Sequence, residues 1–580
     1  MEDKKELREI EKRIIQYIKK YPESEYLKVL EQDSEIEVIL ALSKIRKNII
    51  SWYPFSKECT ILEVGANLGE ITRELCQKAK KVVAVEENSE KQEVIRVRNK
   101  EIKNLEIANS LSGIEEKFDY ITVIGLEKLN KEPRIILNDL KKYIKPDGKI
   151  LIATNNKFSA NYISKLNSKN ETIEFVSEKL YSLPELNKQI EQAGFKYKKV
   201  YYPITDYKMA NAIFCDDNQI IENIVSRNIV YNDEGTIKLY EQNNLYRELA
   251  KENIEYLKMF LNSFFIEIFN QKNGDNGIKL VSFSNMRKEE YRIKTIMKEK
   301  YVYKYNENEK SKDHLNQIKE NIDIMRNSKL NTLDEYDEEK IISKYTDEKS
   351  LDKVIIENFE NNEKEKSIEL IKRFRNELFE KMEKCEPKKN VFDKYNIKYN
   401  IENIANKTFF RYGLWDMTFQ NCFIINNELY FYDQEWREEV VPLDFILYRA
   451  IKYFPEIRFY LSMEELYDIL NIDESMIDLF EKLDNKLQEN IRNNLMWKIH
   501  KQGKTVKELK IEKLTDNHTM HLQRTALAEK NEEINNLKNE TGKLKQELES
   551  VYQSRSWKIT KPLRKLTNRK NKKYDVECFL

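Results

Sequence analysis

The segment Thr60-Ile61-Leu62-Glu63-Val64-Gly65-Ala66-Asn67-Leu68-Gly69 constrains this chain more than any other. Thr60 to Val64 is a short apolar run and reads as a buried strand. Gly65 and Gly69 bracket a tight turn, and Glu70 to Ala79 continue as a helix. Val82-Val83-Ala84-Val85 follows as a second strand and ends in Glu86. Glycines at such a turn let a ligand approach the backbone, and the helix N-terminus presents unpaired N–H groups. A carboxylate ending the second strand, about 20 residues past the turn, suits the ribose hydroxyls of a nucleoside. The spacing therefore predicts a strand-turn-helix-strand unit with a nucleoside site at its strand ends.

The alternation persists downstream. Phe118 to Ile124 and Lys149 to Ala153 read as strands on either side of the turn Lys145-Pro146-Asp147-Gly148. Glu185 to Ala193 reads as a helix stopped by Gly194, with last strands at Phe195–Tyr202 and Ala210–Phe214. Alternating strands and helices predict a mostly parallel α/β sheet. Apolar residues at helical spacing before it (Leu7, Ile10, Ile14, Ile15, Ile18) place helices over 1–50.

Composition narrows the options. The 101 Lys+Arg against 100 Asp+Glu leave a net charge of +1, which disfavours nucleic acid as a partner. Six scattered Cys form no Cys-x-x-Cys pair, as expected of reduced cytosolic thiols rather than a disulfide or zinc framework. No apolar run reaches the ~18 residues of a membrane span, so a soluble, unsecreted chain is expected.

These residues resemble the class I S-adenosylmethionine-dependent methyltransferases over roughly 30–216. The resemblance rests on Glu63-x-Gly65-x-x-x-Gly69, Glu86, the Phe118-Asp119 strand and Lys145-Pro146-Asp147-Gly148. It implies that Glu63, Gly65 and Gly69 line the methionine end of S-adenosylmethionine and that Glu86 holds the ribose. Asn67 stands where the family has its central glycine, and it belongs to the same cofactor loop. No catalytic base is identifiable. The acceptor loop of related enzymes falls on Asn156–Thr172, which here contains no His. Ile50 to Phe55 and Tyr201 to Lys208 are similar to stretches of methyltransferases from bacterial surface-polysaccharide gene clusters.

Residues 276–500 carry a second pattern. Gly277–Phe283, Tyr291–Ile296 and Tyr301–Tyr305 read as strands, Asp313–Met325 as a helix and Glu365–Lys384 as a long helix, and between these helices Lys340–Leu351 resembles a kinase hinge followed by a short helix. Then come Asp416-x-x-x-x-Asn421, a hairpin turning at Asn426-Asn427, and Asp433. Two carboxylates and an amide at this spacing make a hard-cation site for a nucleotide phosphate. The order resembles the protein-kinase-like superfamily, nearest its aminoglycoside-phosphotransferase branch. By that resemblance Asp416 orients an acceptor hydroxyl, Asn421 and Asp433 hold magnesium, Lys304 reaches the phosphates of ATP, and Glu320 partners Lys304. No glycine-rich loop precedes Lys304.

From Leu527, two interleaved sets (Leu527, Ile534, Thr541, Leu548 and Lys530, Leu537, Leu544, Val551) predict a coiled coil and self-association. Arg555 to Lys573 is basic with Trp557, Ile559, Leu563 and Leu566 as apolar anchors, suited to an anionic membrane surface. A single packed helix and a frayed terminus remain the plainer alternatives for these two segments.

The expected fold class is α/β: a Rossmann-like seven-stranded methyltransferase domain, an α+β kinase-like domain, and a coiled-coil helix. Expected limits are 1–50 N-terminal helices, 51–216 methyltransferase, 217–275 helical connector, 276–500 kinase-like domain, 501–553 coiled coil and 554–580 basic tail. This order resembles the bifunctional chain-terminating methyltransferase/kinases of O-antigen synthesis. It implies S-adenosylmethionine and Mg-ATP as cofactors, a glycan or lipid-linked sugar acceptor, and work in the cytoplasm at the inner face of the cell membrane. Glycosyltransferases are implied as partners. The rival readings are a scaffold with degenerate domains that organises glycosyltransferases, and a small-molecule methyltransferase with an inert second domain.

Overall fold

The computed structural model describes residues 7–129, 131–164, 180–215, 242–271 and 276–496, with 534, 536–547, 550 and 553. The chain forms two compact units, Met1–Gly503 and Lys504–Leu580.

The first unit begins with helices Glu9–Lys20, Tyr26–Gln32 and Ile36–Leu42. Their apolar faces (Ile14, Ile15, Ile18, Val38, Ile39) close over Leu68 and Val94 beside the first sheet. The strands that follow are β1 (Thr60–Val64), β2 (Lys81–Val85), β3 (Leu105–Ala108), β4 (Phe118–Ile124), β5 (Ile144–Asn155), β6 (Tyr197–Ile204), β7 (Ala212–Phe214) and β8 (Ser263–Phe269). β1 to β5 are parallel. Their side chains bury on both faces, as parallel strands covered by helices require.

β8 lies antiparallel between β5 and β6, giving the order β6-β8-β5-β4-β1-β2-β3. The sequence predicts that Ala210–Phe214 ends this sheet and that 217–275 is a helical connector. The structure corrects it. Helices Gln242–Glu252 and Ile254–Phe260 lie in that stretch, but a core strand follows them. Phe264, Ile266 and Ile268 bury on one face of β8 and Phe265 on the other. The one charge in the strand, Glu267, is fully buried and accepts from Tyr53 Oη at 2.9 Å and Lys149 Nζ at 2.5 Å.

β7 performs a different task. It pairs with the last three residues of β6 on one side and with β9 (Ile278–Phe283) on the other. Through it the first sheet continues into a second, antiparallel one containing β10 (Ile293–Lys298), β11 (Tyr301–Asn306), β13 (Asp334–Tyr336) and β14 (Ile341–Lys344), with β12 (Asn331–Thr332) outside it. One sheet of 13 strands thus runs from β3 to β13.

Beyond it, helices Leu351–Glu360, Lys364–Lys381, Leu443–Lys452 and Ile477–Ile491 surround β15 (Lys384–Cys385), β16 (Phe409–Leu414), β17 (Cys422–Ile425), β18 (Glu428–Phe431) and β19 (Arg437–Pro442). Phe374, Phe392, Phe409, Phe410 and Phe445 form their core. The hairpin β17–β18 turns at Asn426 and Asn427, with φ of 50° and 61°, the left-handed conformation that Asn tolerates. After the last helix, Leu495 and Met496 return to bury against the N-terminal helices.

In the second unit, the described residues between 534 and 553 are helical. Ile534, Leu537 and Leu544 are 47%, 55% and 58% exposed, so heptad positions of the expected coil carry apolar side chains that this unit leaves uncovered. Positions 527, 530, 548 and 551 and the basic tail 554–580 lie outside the described residues. No helix among the described residues is long and apolar enough to cross a membrane.

Candidate functional site

The turn after β1 is built as the glycine spacing requires. Gly65 and Gly69 have φ of 76° and 72°, where a side chain is strained. A Cβ on Gly65 would stand 3.1 Å from Leu129 Cδ2. The N–H groups of Gly65 and Ala66 both donate to the Val85 carbonyl, at 3.0 and 3.1 Å, locking the turn to the end of β2. Asn67 has φ of 51°. Its amide group is engaged sideways: Nδ2 donates to Glu70 Oε1 at 2.6 Å, and Oδ1 accepts from Lys91 Nζ at 2.8 Å.

Two carboxylates bracket this turn. Glu86 accepts the Asn67 N–H at 2.9 Å and the Asn88 N–H at 3.0 Å. Burial raises its carboxyl above the usual range, and these backbone donors limit the rise. Glu63 is fully enclosed and accepts from Thr72 Oγ1 at 2.7 Å. Burial pushes its carboxyl up to about 8, the Thr72 hydroxyl opposing. A small polar cavity opens here, lined by Arg46, Glu63, Gly65, Asn67, Glu70 and Lys128.

On the cavity wall, Arg46 is buried, donates to the Tyr207 carbonyl at 3.0 Å and lies 5.2 Å from the centre of the Tyr207 ring. Tyr207 Oη donates to Glu127 Oε1 at 2.6 Å. Glu127 also accepts from Thr154 Oγ1 and Asn155 Nδ2, each at 3.0 Å. Burial, then the Glu127 charge, hold the Tyr207 phenol far above its usual range, so it stays protonated and donates. The wall of the cavity is therefore fixed by the ends of β4 and β5 and by the loop 205–211. Arg46, Glu70 and Glu127 escaped the sequence reading. Arg46 comes from before β1, and nothing local ties it to Tyr207, 161 positions on. Of the expected acceptor loop Asn156–Thr172, positions 165–172 lie outside the described residues.

The second set of residues meets below β11. Lys304 is buried and ion-pairs with both Asp433 and Glu435. Glu320, expected as its partner, instead reaches Arg437 at 2.8 Å and is largely exposed. On helix Lys312–Asn327 the inward position is the next residue: Asn321 is buried and donates to the Gln434 carbonyl at 3.0 Å. One residue turns a helix by about 100°, which separates the two. Arg287, in the loop Ser284–Arg292, also ion-pairs with Glu435 and packs 5.1 Å from the Trp436 ring centre. Burial would raise Glu435, but Arg287 and Lys304 hold it far below its usual range.

Asp416 adjoins this group. Asn421 Nδ2 and Gln434 Nε2 donate to its carbonyl at 3.0 and 3.2 Å. Arg449 stands 3.6 Å from its carboxylate. Burial pushes the Asp416 carboxyl up to about 6, with Arg449 opposing. Asp433 has φ of 61° and donates its N–H to Asp334 Oδ2 at 2.8 Å. The structure thus gathers Asp416, Asn421, Asp433 and Lys304 at one place and leaves Glu320 out. Among the described residues no cluster of three or more His, Cys, Asp or Glu could hold a metal by itself.

Residues 20–200 match a family model described as a methyltransferase domain. That stretch is a methyltransferase domain on a Rossmann-like sheet. No curated protein matches the chain. Among solved structures, the chain is similar to a SAM-dependent methyltransferase from Aquifex aeolicus, at 21% identity over 32% of this chain and 93% of that one, with a TM-score of 0.22. It is similar to a SAM-dependent methyltransferase, possible histamine N-methyltransferase, from Thermotoga maritima, at 15% identity over 44% and 100%, TM-score 0.25.

Proposed function

We propose that this chain is an S-adenosylmethionine-dependent methyltransferase that acts on a bacterial surface glycan or its lipid-linked precursor. Its kinase-like second domain takes Mg-ATP and phosphorylates the same acceptor. The observation that carries the first half is the Gly65–Gly69 turn clamped to the end of β2 beside Glu86, inside the stretch that matches a methyltransferase family. Bound S-adenosylmethionine supplies a methyl group already activated by its sulfonium, so alignment and water exclusion are what the chain must add. Glu86 offers carboxylate oxygens to the ribose hydroxyls. Gly65 and Gly69 leave room at the backbone, and Asn67 keeps its side chain turned to Glu70 and Lys91. The Arg46 guanidinium in the cavity suits the carboxylate of the methionine end.

For the second half, Asp416 would orient the acceptor hydroxyl, Lys304 the phosphates, and Asn421 with Asp433 the magnesium. Magnesium prefers one or two carboxylates together with phosphate oxygens over an all-protein cage. A lone Asp433 carboxylate with the Asn421 amide therefore fits a metal that arrives with its nucleotide. The exposed Ile534, Leu537 and Leu544 support self-association through a coiled coil. The basic tail supports contact with the inner face of the membrane, and glycosyltransferases there are the partners proposed for the coiled coil.

One observation favours a second reading, a scaffold whose second domain does not turn over. Arg287 and Lys304 already neutralise Asp433 and Glu435, and the loop Ser284–Arg292 contains no glycine. Calorimetry with S-adenosylmethionine and with Mg-ATP separates the readings. Both ligands should bind, with the first lost in Glu86→Ala and the second in Asp433→Ala. Binding of S-adenosylmethionine alone assigns the second domain to the scaffold, and binding of neither ends the enzyme reading.

A further inference from the structure

The loop Ser284–Arg292 touches both sites within three residues. Asn285 is 1% exposed. Its Nδ2 donates to the Ala210 carbonyl at 3.0 Å and to Asn211 Oδ1 at 2.7 Å, and its Oδ1 accepts from Asn48 Nδ2 at 2.9 Å. It therefore grips the loop 205–211, whose Tyr207 holds Arg46, a residue that lines the methyltransferase cavity. Two residues on, Arg287 grips Glu435, whose other partner is Lys304. The residues around it are pinned as well. Asn493 N–H donates to the Met286 carbonyl at 2.7 Å and Lys288 N–H to the Ile491 carbonyl at 2.8 Å. With no glycine in the loop, the segment has little slack to absorb a displacement of Arg287.

Resting on the Mg-ATP reading of the second cleft, we infer that nucleotide bound there is an effector of the methyltransferase site. The polyphosphate and its magnesium compete for Lys304 and Asp433, which now hold each other. Glu435 loses part of its neutralisation and draws on Arg287 alone. Any shift of Arg287 passes through two peptide units to Asn285, and from Asn285 to Ala210, Asn211 and Tyr207. Such coupling is reciprocal in binding free energy.

S-adenosylhomocysteine is titrated into the full-length chain with and without a saturating non-hydrolysable magnesium–ATP analogue, and the analogue is titrated with and without S-adenosylhomocysteine. Both experiments should give the same change in affinity, about fivefold or more, the lower end of measured couplings. Asn285→Ser should leave both ligands binding and bring that factor close to one. Arg287→Gln, on a half-buried loop, should do the same whatever it does to nucleotide affinity, and it covers a failure of Asn285→Ser to fold. Nucleotide that binds without changing S-adenosylhomocysteine affinity overturns the coupling and leaves the Mg-ATP reading standing. Coupling that survives in Arg287→Gln overturns the proposed route. Absence of nucleotide binding overturns both.

Discussion

Glu63 and Glu435 are the same residue type, both buried, at the two sites of one molecule, and burial acts on both in the same direction. Yet the Glu63 carboxyl is pushed up to about 8, while that of Glu435 falls far below its usual range. The difference is the company each keeps. Glu63 has a neutral hydroxyl, that of Thr72, for its bond. Glu435 has Lys304 and Arg287. Among the described residues Glu63 itself touches no cation, although Arg46 and Lys128 line the same cavity. The group around Lys304 has balanced its own charges, so any ligand there must compete with bonds already made.

The sharpest test of that contrast removes a cation. Lys304→Ala leaves Glu435 with Arg287 alone and takes from Asp433 its ion pair with Lys304, and breaking a buried pair costs about 3–5 kcal/mol. Thermal or denaturant melts should record that loss as one transition, because the sheet is continuous through both parts. A loss below about 1 kcal/mol would mean the cleft is wet and its charges screened. Gly65→Val should weaken S-adenosylhomocysteine binding at least about a hundredfold, roughly 2.7 kcal/mol, by calorimetry. The left-handed backbone and the contact with Leu129 both oppose a side chain.

The third test is pH. The folded pKa of Glu63 lies above its unfolded value of 4.5. The folded state therefore holds that proton more tightly. Its contribution is fully present below the unfolded pKa and is lost as pH rises toward about 8. Stability should fall across that window with a slope approaching about 1.4 kcal/mol per pH unit. Glu63→Gln should flatten the slope, and an unchanged slope would assign it to another group. A smaller effect is expected of Asn67→Gly. It relieves the positive φ but frees Glu70 and Lys91, so S-adenosylhomocysteine affinity should stay within about threefold of wild type. The smallest is Glu320→Ala, which removes an exposed ion pair with Arg437 and should cost less than about 1 kcal/mol. A cost matching Lys304→Ala would restore Glu320 to the cleft.

Local patterns were readable from the sequence where they were also the physical cause. The run Thr60–Val64 and the two glycines are contiguous and Glu86 ends the very next strand, so spacing alone places them. Asn426-Asn427 likewise names its own turn. What escaped depends on distant pairing. Ser263 to Phe269 alternates well enough for a strand, but its place is decided by distant partners, β6 about sixty to seventy positions earlier and β5 more than a hundred, and by the salt bridge from Lys149 to Glu267. Glu320 failed for a subtler reason. Apolar spacing predicts the helix, but its rotation about its axis is set by packing, which turns Asn321 inward and leaves Glu320 at the surface.

The placement of β8 has a consequence for synthesis. β6 and β8 are adjacent in space, but β8 leaves the ribosome about sixty residues after β6. At roughly 5–20 residues per second, the nascent chain waits several seconds with β5 and β6 lacking their shared neighbour. Two apolar strand edges stand open during that interval, the kind of template on which chains aggregate. The same sheet that later joins both sites is thus most vulnerable while it is being made.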